Sequence, residues 1–355
     1  MTAENPFRCY VMGSESLLVQ CTEILLREGH KVLGVISEAD DIVRWAEDQK
    51  IPVVPPGKDL ASRLSDDPFE WFFSLANLSI IPDDVLAKPT EGAINFHDGP
   101  LPRYAGLNAT TWALLHGERT HGVSFHLIEG GVDEGDLLAQ RVFELNDRET
   151  ALTLNTRCYE LGIETFGQLV EQLGAGTHER TEQDLGKRSY FGKFDRPDGG
   201  STIDWDQPAH VIDALVRALD YGGYPNPVGA AKVVLERGVL LLPEVERAAD
   251  STSEKPGTVV GVDDDGLEVA TQTGTLLFPR VLDGEGRPLT PEAAFALGVQ
   301  PGASLVASPS TRKRLGELDR AMAKNEAFWT RRLSTLEAAK IPQADHATVA
   351  KPKQE

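Results

Sequence analysis

The sequence predicts an α/β protein in two parts, a helix-covered parallel sheet followed by a small β-barrel, and three observations lead to that class. Short apolar runs alternate with amphipathic ones over the first half of the 355 residues, the pattern of parallel strands joined by helices. From Val228 onward the runs become brief and are divided by Gly, Asp and Pro, as in packed short strands. The length itself is enough for two hydrophobic cores.

Phe7–Met12 reads as the first strand, and the amphipathic Leu17–Arg27 as a helix stopped by Gly29. Lys31–Ile36, Pro52–Val54 and Trp71–Leu75 are further strands. Helices are expected over Ile42–Gln49 and, after the loop Asn77–Pro82, over Asp83–Leu86. Ala93–His97 is another buried strand. Thr110–His116 is a helix ending at Gly117, and Val123–Ile128 and Leu137–Val142 are strands around a Gly-rich turn. Thr153–Leu173 repeats apolar residues at helical spacing, with Thr153 as its cap and Gly174–Gly176 as its stop. The first turn holds only Gly13, not G-x-G-x-x-G, so a dehydrogenase-type dinucleotide site is not expected.

The first domain is expected to span residues 1–189. Residues 190–227 hold a polar, glycine-rich linker, Tyr190–Asp206, and one amphipathic helix, Pro208–Asp220. The barrel occupies 228–307, with strands at Ala231–Leu235, Val239–Leu242, Gly257–Val262, Leu267–Thr271 and Thr275–Pro279. Residues 308–355 form a charged helix, Arg312–Ala339, and a polar tail ending in KPKQE.

With 41% hydrophobic and 25% charged residues the composition is that of an ordinary globular protein. No apolar run approaches the roughly 18 residues that span a bilayer, and MTAENPFR lacks the basic start of a signal peptide, so a cytoplasmic location is expected. Cys9, Cys21 and Cys158 show no paired spacing and read as buried reduced thiols. A net charge of −20 opposes the approach of phosphate backbones, which disfavours direct nucleic-acid binding.

The chemistry concentrates between Ile94 and Leu138. Asn95 and His97 lie two apart at the end of a strand, where alternate side chains share a face. Asp133 follows in a Gly-Gly-Val-Asp-Glu-Gly-Asp turn that the fold can carry beside them. Alone, each is more often a satisfied structural or turn residue. Together they suit transfer of a one-carbon acyl group.

These residues, within INFHDGPLPRYAG and GGVDEGDLL, make the chain resemble the formyltransferases that use 10-formyltetrahydrofolate, a family that includes methionyl-tRNA formyltransferases and peptide-synthetase formylation domains. The resemblance covers nearly all of residues 7–306. It implies a Rossmann-like catalytic domain and an OB-like C-terminal domain, catalysis by Asn95, His97 and Asp133, and no metal. It also implies folate contacts at Ile80, Pro82, Leu101, Glu129 and Gly131, with Ser79-Ile80-Ile81-Pro82 along the pterin pocket.

In such a reaction Asn95 donates a hydrogen bond to the formyl oxygen as its negative charge grows, worth roughly 3 to 4 kcal/mol. His97 supplies a second donor or moves a proton, and Asp133 orients the imidazole or takes the amine's proton directly. Three acceptors remain open: a small amine or an amino acid tethered to a carrier protein or synthetase module, methionyl-tRNA, and water. The tRNA branch has a long basic loop after the second strand, whereas here Ser37–Val43 is short and acidic, which favours the first. Tyr190-Phe191-Gly192, Leu107-Asn108 and Tyr224–Pro227 resemble the synthetase formylation domains, and Asn325–Leu333 resembles their helical linker. An amphipathic helix that packs on the barrel explains that last segment equally well.

Other candidates are weaker. His116, His121 and His126 do not share a helix face as metal ligands would. His126 alternates with Ser124 and either borders the acceptor pocket or is simply packed. Arg103 meets substrate or forms a structural ion pair, and Asp263–Gly266 reads as a hairpin turn.

Overall fold

The computed structural model describes residues 5–336. The first domain runs β1 (Arg8–Met12), α1 (Ser16–Arg27), β2 (Lys31–Ile36), α2 (Asp40–Asp48), β3 (Val53–Val54), α3 (Leu60–Arg63), β4 (Trp71–Ser74), α4 (Asp83–Leu86) and β5 (Gly92–His97). It continues with β6 (Ala105–Gly106), α5 (Ala109–Leu115), β7 (Thr120–Leu127), β8 (Leu137–Glu144) and α6 (Ala151–Ala175). Seven strands form one sheet in the order β3-β2-β1-β4-β5-β7-β8. The first five are parallel, and β7 and β8 close the edge antiparallel. The chain reverses its direction of travel across the sheet between β1 and β4, where open α/β sheets form their crevice. Gly13 is required at that point, because a Cβ there would lie 1.9 Å from the Leu75 carbonyl oxygen.

Both sheet faces are covered, so the strands are apolar on both sides. One face buries Cys9, Val11, Phe73, Ile94 and Phe96 under α1 and α6; the other buries Tyr10, Met12, Phe72 and Ala93. Cys9, Cys21 and Cys158 are all buried and unbridged, as the sequence suggests. The long helix caps one turn earlier than expected. Thr150, not Thr153, is the N-cap, and the two hydroxyls satisfy each other's main-chain N–H in a reciprocal box, with Gly176 at the left-handed end.

The second part holds β9 (Tyr190–Phe191), α7 (Ala209–Ala218), β10 (Lys232–Leu235), β11 (Gly238–Leu241), β12 (Glu246–Ala249), β13 (Val259–Asp263), β14 (Gly266–Thr271), β15 (Gly274–Phe278) and β16 (Leu282–Asp283). Two helices follow, α8 (Pro291–Ala296) and α9 (Pro309–Ser334). Seven strands after α7 replace the five expected. They make a three-stranded sheet, β10-β11-β16, and a four-stranded one, β12-β15-β14-β13, around a core that includes Trp205, Leu240, Val269 and Phe278. β12 escaped the sequence reading because Glu-Arg-Ala-Ala is exposed throughout and carries no alternation. Asp263 pairs with Gly266 across a two-residue hairpin turn, as read.

The expected linker is no free tether. Tyr190–Phe191 pairs in parallel with Ala105–Gly106 of the first domain. α7 lies between α5 of the first domain and β15 and β12 of the second. α9 starts at Pro309, earlier than the expected Arg312, and is capped by Ser308, whose hydroxyl accepts from Thr311 N–H. The expected continuation to Ala339 and the polar tail lie outside the described residues. No described helix is long and apolar enough to cross a membrane.

Candidate active site

Alternation along β5 buries Ile94 and Phe96 in the core beneath α6 and sends Asn95 and His97 to the opposite face. β7 runs antiparallel beside it in a register that sets His126 opposite Asn95 and Ser124 opposite His97. The Asn95 amide Nδ2 therefore lies 3.2 Å from His126 Nε2. Phe96 reaches α6 at Gly162, where a Cβ would come within 2.6 Å of its ring, so the glycine lets the helix seat against the strand.

Two loops complete the cluster. After β5 the chain passes close under His97 at Gly99, where a Cβ would lie 2.7 Å from Nε2, and then turns through Tyr104. The Tyr104 carbonyl accepts the His97 Nε2–H at 2.8 Å. The loop after β7 folds back so that Asp133 Oδ1 lies 3.3 Å from His126 Nε2 and Oδ2 lies 3.7 Å from His97 Nδ1. Oδ2 also accepts the Gly106 N–H at 2.8 Å. Tyr104, Asn108 and Asp133 all adopt left-handed φ near +60°, a strained conformation for side-chain-bearing residues that often gathers at functional sites.

The hydrogen bonds assign the ring protons. A carbonyl only accepts, so His97 carries its proton on Nε2 toward Tyr104, and His126 carries one on Nδ1 toward the Leu127 carbonyl at 2.8 Å. The two remaining nitrogens, His97 Nδ1 and His126 Nε2, both face Asp133. A carboxylate between two imidazoles can receive a proton from one partner and pass it to another. Burial pushes the Asp133 carboxyl up, but once the rings carry a second proton the His126 Nε2–H bond, the positive charges of His97 and His126 and the Gly106 N–H outweigh it and hold the group at about 2. The second Asn95 N–H remains available to an incoming oxygen.

The structure thus brings Asn95, His97 and Asp133 together and adds His126, which is 2% exposed and belongs to the cluster rather than to ordinary packing. His121 and His116 face elsewhere: His121 Nε2 donates to the Asp98 carbonyl at 2.8 Å, and His116 meets the Tyr104 hydroxyl. Burial pulls the His121 imidazole below its ordinary range. Among the described residues no group of three or more His, Cys, Asp or Glu is arranged to hold a metal. Arg103 pairs with Glu118, the structural alternative of the two considered.

The five expected folate positions are spread around the cluster. Ile80 is 84% exposed on the loop after β4, beside the equally open Leu78, and Pro82 starts α4. Glu129 and Gly131 lie on the Asp133 loop, with Glu129 3.8 Å from Arg180. Leu101 is buried; its N–H donates to Ser124 Oγ and its carbonyl accepts from Gln140 Nε2.

Comparison with known proteins places the chain in an enzyme class. Residues 72–170 match the formyl transferase family and residues 199–297 match the formyl transferase C-terminal domain, together more than half of the chain. The chain belongs to the formyl transferase family. It is 28% identical over 312 residues to methionyl-tRNA formyltransferase of Geobacter metallireducens, covering 83% of this chain and 97% of that one. The corresponding enzyme of Anaeromyxobacter dehalogenans is 29% identical over 311 residues, with 82% and 97% covered. Among solved structures, the sugar 3N-formyl transferase WlaRD, crystallised with dTDP and 5-N-formyl-THF, superposes with a TM-score of 0.61 at 18% identity, over 78% of this chain and 98% of that one. The Helicobacter canadensis N-formyltransferase, in complex with folinic acid and dTDP-3-aminofucose, gives 0.59 at 20%, over 77% and 98%.

Proposed function

We propose that the chain transfers the formyl group of 10-formyltetrahydrofolate to the amine of a small molecule or of a carrier-tethered amino acid, as in peptide natural-product assembly. The observation that carries the transfer chemistry is the convergence of Asn95, His97, His126 and Asp133 at the face of β5. The donor supplies an activated formyl group. Asn95 offers an amide N–H to the formyl oxygen, where growing charge makes a fixed donor most useful. Asp133, between the two imidazoles, takes the proton released as the amine nitrogen bonds to the formyl carbon, and an imidazole passes a proton to N10 as the formyl carbon–N10 bond breaks and tetrahydrofolate leaves. Leu78 and Ile80, exposed on the loop after β4, offer an apolar surface suited to a flat pterin ring, and the main-chain groups of Glu129 and Gly131 lie on the loop that carries Asp133.

The small-amine reading gains support from the connection between β2 and α2. It is three residues, Ser37-Glu38-Ala39, and runs straight into Asp40 and Asp41 at the helix start. So short and acidic a segment has little capacity to grip an RNA acceptor stem. Methionyl-tRNA is the second reading, favoured by the names and extended alignment of the curated relatives. Purified protein given 10-formyltetrahydrofolate and a panel of amines, aminoacyl carrier proteins and charged tRNA is expected to add one formyl mass to an amine or a carrier-bound amino acid. Fast transfer to methionyl-tRNA with none to the others would reverse the ranking.

A further inference from the structure

Residues 181–191 lie between the two matched domains and grip both loops of the cluster. Thr181 exchanges main-chain hydrogen bonds of 2.8 and 2.9 Å with Leu137, just beyond the Asp133 turn. The buried Gln183 reaches beneath that turn, and its Nε2 donates to the carbonyls of Asp133 at 2.9 Å and Gly135 at 2.6 Å. Arg188 Nη2 donates to the Val132 carbonyl at 2.9 Å, and its Nε lies 3.5 Å from Glu134. The same segment then turns to the other loop. Tyr104 N–H donates to Ser189 Oγ at 2.8 Å, Ala105 N–H to the Ser189 carbonyl and Leu107 N–H to the Phe191 carbonyl, each at 2.9 Å. It lies so close that a Cβ on Gly106 would come within 2.1 Å of the Phe191 carbonyl oxygen.

We propose that Gln183 and Ser189 are positioning residues that hold the Asp133 turn and the Tyr104 carbonyl at their working separations from His97. The proposal rests on the catalytic reading of Asn95, His97 and Asp133 given above. Asp133 and Tyr104 have φ of 57° and 61°, strained conformations for residues with side chains that persist only where neighbours hold them. Gln183 supplies that hold by donating to the Asp133 carbonyl, and Ser189 supplies it by accepting the Tyr104 N–H on its hydroxyl. Tyr104 in turn fixes the His97 proton on Nε2 and leaves Nδ1 facing Asp133. A shift of one loop against the other alters the proton-transfer geometry without removing a catalytic group, and misplacement on the order of 1 Å is known to cost about a hundredfold in rate.

The titration of Asp133 reads this position directly. Facing it are the imidazoles of His97 and His126 and the Gly106 N–H; Asp98 lies 4.0 Å from His97, and Glu134 sits on the same turn, tied to Arg188. Drift of the turn weakens the first three contacts and leaves burial, which pushes the carboxyl up. Carboxyl carbon NMR follows Asp133 in the full chain, assigned by the signal lost in Asp133→Asn. Wild type should stay ionised down to pH 4, while in Gln183→Leu the midpoint should rise by about one pH unit or more, with amide dispersion retained. Ser189→Ala should shift the same signal and Ser189→Thr, which keeps the oxygen, should not; this pair decides the matter if Gln183→Leu loses its fold. An unmoved Asp133 signal in both Gln183→Leu and Ser189→Ala would overturn the proposal. Full formyl transfer by Asp133→Asn would instead remove the catalytic reading beneath it.

Discussion

Asn95 has two amide hydrogens, and a neutral His126, its proton on Nδ1, accepts one of them. The other is the group expected to meet the formyl oxygen, so Asn95→Ala should lower turnover roughly 100- to 1,000-fold while donor affinity, measured by equilibrium titration, changes little. His97→Ala should lower it roughly 100- to 10,000-fold in the same assay. Asp133 adds a pH signature. Its folded carboxyl sits near 2 against an ordinary 3.8, so the fold favours the charged form, and that stabilisation is complete above about pH 4 and lost as pH falls toward 2. Urea melts at pH 7 should find Asp133→Asn less stable by on the order of 2 kcal/mol, with the gap closing below pH 4. Asn95, His97 and Asp133 were legible because their spacing and surrounding residues stand together in the text. The sequence leaves His126 between bordering the pocket and simple packing, since its place opposite Asn95 depends on the register between two strands far apart in sequence.

At the scale of elements, amphipathic period and Gly stops located nearly every helix and strand of the first domain, because each buries one face or both in a continuous core. The same periodicity does not reveal the two-residue pair β6 and β9, which has too few residues to show a pattern. β12 was illegible for a related reason, being exposed at every position. The seat of α6 on β5 gives a test at this scale. Gly162→Ala gains about 1 kcal/mol of helix propensity, but its Cβ would meet the Phe96 ring at 2.6 Å in a close-packed core. Overpacking of this kind costs roughly 1 to 3 kcal/mol, so the denaturation midpoint should fall.

Across the whole molecule, α7 joins the two cores through a polar seam. Arg217 pairs with the buried Asp213 at 2.8 Å and donates to the Glu149 carbonyl of the first domain, while Thr111 of α5 bonds the Tyr221 hydroxyl at 2.6 Å. Arg217→Ala leaves the Asp213 carboxylate with Arg148 at 3.7 Å as its remaining ion pair. With that pair left in place, calorimetry should record a loss of roughly 1.5 to 3 kcal/mol and a lower Tm.

Composition, period and motif spacing by themselves determined a two-part α/β protein, its strand-end Asn and His, its turn Asp and a net charge of −20. Those properties are local, or sums over the chain, and need no partner to be read. Tertiary structure alone decided that His126 completes the cluster and that the segment between the domains clasps its two loops. It also decided which histidine nitrogens face the carboxylate. Each depends on strand register or on loops closing over long sequence separations, which local sequence pattern does not encode.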